Sequence, residues 1–110
     1  MAKKTDEFLE QLKAHNQQMQ LIALQKQSLA MQNREIELAL GEMEKSSGDV
    51  YKSLGPVLIK AEKEQLKKEL EEMKEENELK LSAMEKQESR IREGIKNEQK
   101  KFQEQPGMGG

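Results

Sequence analysis

The stretch GDVYKSLGPVLIKAEK, Gly48 to Lys63, interrupts a chain that otherwise reads as helix. Its two runs, VYKSL and VLIKA, are rich in the β-branched, aromatic and aliphatic residues that fit a pleated surface. Between them stand Gly55 and Pro56; glycine supplies backbone angles closed to other residues, and proline presets φ. A two-residue loop pairs Leu54 with Val57, Lys52 with Ile59 and Val50 with Ala61, which collects a mostly apolar set on one face. A lone two-stranded hairpin is marginal in water, and both outer edges offer unpaired backbone groups. Segment 48–61 therefore reads as an assembly element, several copies of which close into a shared sheet or barrel. Val50, Tyr51, Leu54, Gly55, Pro56, Val57, Leu58 and Ile59 carry that reading.

Outward from the hairpin, periodicity takes over. A 4,3 spacing from Phe8 visits Leu12, His15, Met19, Ile22, Lys26, Leu29, Asn33, Ile36, Leu40 and Met43, and eight of these eleven positions are apolar. On the other side Leu66, Leu70, Met73, Asn77, Leu81, Met84, Glu88, Ile91, Ile95, Glu98 and Phe102 again hold eight apolar residues in eleven. Two successive four-residue steps around Asn77 read as a stutter. Both lines are coiled-coil seams, and the Glu, Gln, Lys and Arg between them are strong helix formers.

The boundaries follow from capping chemistry. Thr5 is a usable N-cap with Asp6 and Glu7 in the first turn, which leaves residues 1–4 as a flexible N-terminus and 5–47 as the first coiled-coil helix. Lys45 sits in the last turn, and Gly48 is placed to take the left-handed cap conformation. The second helix spans 62–104 with Glu62 and Glu64 in its first turn, and the Gly-rich tail QPGMGG, 105–110, reads as disordered. Each helix runs to about 60 Å at 1.5 Å per residue. Joined by so short a connector, the two fold back as an antiparallel pair with both termini at one end. The expected class is all-α dominated: a long antiparallel two-helix coiled coil with a central β-hairpin that oligomerises.

Composition limits what such a chain does. Of its 110 residues 34% are apolar and 3% aromatic, too few for a globular core. Nineteen basic and 21 acidic residues nearly cancel, and their signs interleave, which argues against nucleic-acid binding. No apolar run approaches a membrane span, and MAKKTDEF lacks the apolar core of a signal peptide, so a cytoplasmic protein is expected. The absence of cysteine excludes disulfides and thiol chemistry. No phosphate loop, metal-spaced ligand set or nucleophile with a base is present, and the lone His15 lacks the ligand count zinc needs, so neither enzyme activity nor a cofactor is expected.

The antiparallel fold brings the only two phenylalanines together. Phe8, Leu9, Leu12, Met19, Ile91, Ile95 and Phe102 then either zip the helix ends shut or expose a surface for apolar partners as the ends fray; both readings stand. Asn33 and Lys26 on the seam fix register or reach solvent. A second apolar line, Leu21, Leu24, Met31 and Leu38, widens the same core or meets a neighbouring subunit. The charged run KKELEEMKEENELK is a solvated helix face with i,i+4 pairs, or an electrostatic docking surface for a partner.

GDVYKSLGPVLIK, flanked by LQKQSLAMQNREIELALGEMEK and LEEMKEENELKLSAMEKQESRIREGIKNEQKKF, resembles the β-type subunits of archaeal prefoldin. The resemblance covers Gln17 to Phe102, and its most specific parts are the Val50 to Lys60 hairpin and EKQESRIRE, Glu85 to Glu93. Gly94, inside the second helix, departs from it. The resemblance implies a hexamer of two α-type and four β-type subunits, joined through hairpins and bearing six coiled-coil arms. It further implies that the arm ends hold unfolded polypeptides without ATP and deliver them to a group II chaperonin. The expected function is that of an ATP-independent holdase subunit. The alternative is a coiled-coil scaffold or dimerisation protein without client binding.

Overall fold

In the computed structural model residues 2–104 are described. The element order is α1 (Ala2–Lys45), β1 (Val50–Leu54), β2 (Val57–Ala61) and α2 (Lys63–Glu104). These are the expected two long helices with a central antiparallel hairpin. The expectations for Met1 and for the tail 105–110 lie outside the described residues. The chain divides into two units: one joins the start of α1, up to Lys26, to α2 from Ser82 onward, and the other is Gln27–Leu81.

Within the first unit the helices run antiparallel, since Phe8 meets Phe102, His15 meets Gly94 and Lys26 meets Glu88. Ile22 and Ile91 are buried, and Leu12, Met19, Met84 and Ile95 are half-buried. Helices of this composition are marginal in isolation, and burying one large apolar side chain contributes about 1.5–3 kcal/mol, so the shared seam holds them. Two polar features share it. Lys26 Nζ donates to Glu88 Oε1 at 2.7 Å, with the Glu88 side chain only 10% exposed. His15 is half-buried, and its Nδ1 is buried without a hydrogen-bond partner.

The second unit contains the remaining seam and the hairpin. Ile36 and Met43 are buried, Leu29, Leu40, Leu66, Leu70 and Leu81 half-buried. Asn77 Nδ2 donates to Asn33 Oδ1 at 2.9 Å, and Asn33 Nδ2 donates to the Lys74 carbonyl at 3.3 Å. Lys74 Nζ lies 3.2 Å from Glu37 Oε1. Asn33 thus bonds across the pair, and Lys26 is ion-paired with its side chain 28% exposed.

Three expectations need correction. Helix α1 begins at Ala2, so Thr5 is inside the helix and Asp6 and Glu7 fall beyond its first turn; Ala2, Lys3 and Lys4 are good helix formers and nothing stops the helix at Thr5. Gly48 is not the left-handed cap, because Gly55 is the only described residue with positive φ. Polar partners close α1 instead: Ser46 N–H donates to the Glu42 carbonyl at 3.0 Å, Gly48 N–H to Ser46 Oγ at 3.3 Å, and Lys63 Nζ to the Ser46 carbonyl. A cation at the negative end of the helix dipole does the work of a glycine turn.

The third correction concerns the second seam, which passes through Lys74 rather than Met73. Met73 is 50% exposed, whereas Lys74 is half-buried and its carbonyl is taken by Asn33. The two four-residue steps therefore fall at Leu66–Leu70–Lys74, earlier than around Asn77. Lys74 tolerates the position because its stem lies along the seam while its ammonium reaches Glu37. Of the two readings of the second apolar line, Leu21, Leu24, Met31 and Leu38, exposure of all four removes the wider core and leaves the neighbouring subunit. All four lie on the side of α1 turned away from the seam.

Candidate functional sites: the hairpin and the paired helix ends

The hairpin forms in the register that the two-residue loop requires: Val50 opposite Ala61, Lys52 opposite Ile59, Leu54 opposite Val57. Gly55 has φ +59°, a region that costs most residues about 1–2 kcal/mol, and Pro56 follows with φ fixed near −65° by its ring. This sign pattern belongs to the turns whose twist matches the flanking strands. Nothing lies within 4 Å of a Cβ built on Gly55, so backbone angle rather than crowding demands glycine there.

Side chains alternate across the ribbon. One face carries Val50, Lys52, Leu54, Val57, Ile59 and Ala61, and the other Tyr51, Ser53, Leu58 and Lys60. Every residue from Tyr51 to Lys60 is exposed, and of the large apolar ones Leu58 most, at 70%, and Ile59 least, at 46%. The hairpin therefore has almost no apolar footing on the helices of its own unit. What holds it is polar: Lys63 on the Ser46 carbonyl, Lys60 Nζ at 3.5 Å from Asp49 Oδ2, and Lys52 Nζ at 3.3 Å from Glu69 Oε2. The last pair is 48% and 40% exposed, and pairs so wet contribute at most about 1 kcal/mol.

In the first unit the Phe8 and Phe102 rings stack with centroids 4.5 Å apart and planes 22° from parallel. Such a pair is worth about 0.5–1.5 kcal/mol beyond the area it buries. The seven apolar residues singled out there divide by exposure. Leu9 is open to solvent at 54%, Phe8, Leu12, Met19, Ile95 and Phe102 are half-buried, and Ile91 is buried. Leu9 is accessible as the chain stands, the half-buried five in part, and Ile91 only when the helices separate. Gly94 faces His15: a Cβ there meets the imidazole Cε1 at 3.7 Å. Gly94 leaves a shallow gap over the ring that a methyl group would fill at ordinary contact distance.

Among the described residues no group of three or more His, Cys, Asp and Glu side chains is placed to hold a metal ion. Among the described residues, too, no helix is long and apolar enough to cross a membrane. Sequence reasoning missed Lys63, Lys52 and Glu69, whose roles arise from contacts seventeen residues apart in the chain. The one available signal was Lys52 itself, a lone charge on an apolar strand face.

Comparison with known proteins agrees with this architecture. Residues 6–107 match the family model described as "Prefoldin subunit". The chain is similar to the crystal structure of the prefoldin beta subunit from Thermococcus strain KS-1, at 34% sequence identity and a TM-score of 0.79, covering 89% of this chain and 88% of that one. No curated protein gives a significant match. With a family model spanning both helices and the hairpin, and a β-subunit structure of the same fold, the chain belongs to the prefoldin subunit family of chaperones, as a β-type subunit.

Proposed function

We propose that this chain is an ATP-independent holdase subunit that captures unfolded polypeptides and hands them to a group II chaperonin. The observation that carries the reading is the hairpin, whose apolar side chains on both faces are left exposed in the single chain. An apolar ribbon with two bare edges is stable and soluble only when other chains cover it. The partners that fit are other prefoldin subunits, two of α type and four of β type in a hexamer, in the cytoplasm of an archaeon. Each hairpin lends its edges to a common body, and the paired helix ends are left free for clients.

Client capture rests on the Phe8–Phe102 end. Leu9 is accessible at once, and opening the last turns adds Phe8, Leu12, Met19, Ile91, Ile95 and Phe102. Several such ends acting on one chain hold it by avidity, with no single contact needing to be tight. No step needs a cofactor or a chemical reaction. The test is aggregation of a chemically unfolded client protein by light scattering, with and without the assembled particle and without nucleotide. Suppression at about one particle per client supports the holdase; unchanged aggregation in the presence of an intact particle contradicts it and favours a coiled-coil scaffold.

A further inference from the structure

Lys52 is the only charged residue on the hairpin face that otherwise holds Val50, Leu54, Val57, Ile59 and Ala61. If that face is covered when subunits assemble, its ammonium goes with it. An unpaired ammonium removed from water is costly, far more so than the wet ion pair it makes in the single chain. The structure holds a partner within the same chain: Glu69, on the second turn of α2, lies 3.3 Å from Lys52 Nζ. The Glu69 side chain is 40% exposed, and the bond to Lys52 places it beside β1.

We infer that Glu69 is an assembly residue: it draws the Lys52 ammonium aside and neutralises it, so that the apolar hairpin face can be covered by a second prefoldin-type subunit. This rests on the hairpin-assembly reading above. The pair does two things at once. It removes a net charge from the surface to be covered, and it ties β1 to α2 in a hairpin that has little other footing. Glu69 is thus a positioning residue, acting through Lys52 rather than by touching the partner chain.

The charge argument separates this from an ordinary surface pair. If the pair only added attraction, losing either member would weaken assembly equally. If Glu69 serves to neutralise Lys52, losing Glu69 is harmful while Lys52 remains and harmless once Lys52 is gone. The experiment therefore compares wild type, Glu69→Ala, Lys52→Met and the double variant, each as the full chain with an α-type subunit, with complex formation followed by sedimentation at low salt. E69A is expected to assemble about tenfold more weakly. K52M and K52M/E69A are expected within about threefold of wild type. E69A assembling like wild type, or the double variant remaining as weak as E69A, overturns the inference.

A second readout needs no assembly. The chain contains no cysteine, so Ser53→Cys and Gln65→Cys carry a pair of spin labels, diluted with unlabelled chain. Their distance distribution is expected to be narrow in wild type and to broaden in E69A, as in wild type at about 1 M salt, where charges are screened beyond about 3 Å. A wild-type chain that stays single under all conditions sinks the hairpin-assembly reading rather than this tie. The labels then decide, and a distribution unchanged by E69A overturns the Lys52–Glu69 coupling itself.

Discussion

Asn33 and Asn77 meet amide to amide across the helix pair of the second unit, both buried: Asn33 Oδ1 accepts from Asn77 Nδ2 at 2.9 Å, and Asn33 Nδ2 donates to the Lys74 carbonyl. Two such buried polar groups inside a mostly apolar seam favour one register, because a slip that parts them strands both among apolar side chains.

Replacing one partner is therefore expected to hurt more than replacing both. Asn77→Ala leaves Asn33 Oδ1 buried without its donor and should cost about 1–3 kcal/mol. N33L/N77L should regain that loss or exceed wild type, as apolar replacement of buried polar pairs often does, at the expense of a unique register. Thermal unfolding by circular dichroism reads the first effect. Disulfide trapping between cysteines placed in and one turn out of register reads the second.

Gly94 predicts a gain. The Cβ of alanine lies at ordinary contact distance from the His15 ring, 3.7 Å, and its φ is not in the region that demands glycine. Gly94→Ala should stabilise by up to about 1 kcal/mol, the helix-propensity difference, seen as a higher melting temperature. A fall in melting temperature means the ring needs the space more than the helix needs the methyl group.

The corrected seam makes an asymmetric pair of expectations. Met73→Gln should change stability by no more than about 0.5 kcal/mol, because the side chain is half in water. Leu70→Ala removes a half-buried seam side chain and should cost about 2 kcal/mol. Equal costs at the two positions return the seam to Met73.

Most of this architecture was legible in the sequence because the governing signals are local. All eleven positions of the first seam are buried or half-buried, and the Gly55-Pro56 loop fixed the register of every strand pair. Where reading failed, the deciding group lay elsewhere in the chain. Gly48 was credited with a cap that Lys63 supplies from the next helix. Lys74 displaced Met73 because Glu37 and Asn33 receive it, and neither is visible from the α2 periodicity. Lys26 and Glu88 both stood on the predicted seams, yet their ion pair depends on the relative offset of two helices, which neither seam specifies alone.

For the candidate client site the expectation concerns function rather than stability. Phe8, Leu12, Ile95 and Phe102 changed together to Ser should abolish suppression of client aggregation, while the mass of the assembly stays the same. Leu9→Ser alone, which removes the exposed member without breaking the Phe8–Phe102 stack, should weaken suppression with little change in melting temperature. Full activity of the fourfold variant in an intact assembly removes this end from the account.

The central claim is that the hairpin exists to be covered by other subunits, and mass by light scattering tests it most directly. The purified chain is measured alone, then mixed with an α-type subunit, and the mixture is repeated with Val57→Asp and Ile59→Asp together. The account predicts a stable six-chain complex in the wild-type mixture and dispersed helical chains with the double variant. An unchanged small species in both mixtures, or a six-chain complex that survives two aspartates on the hairpin face, would contradict it.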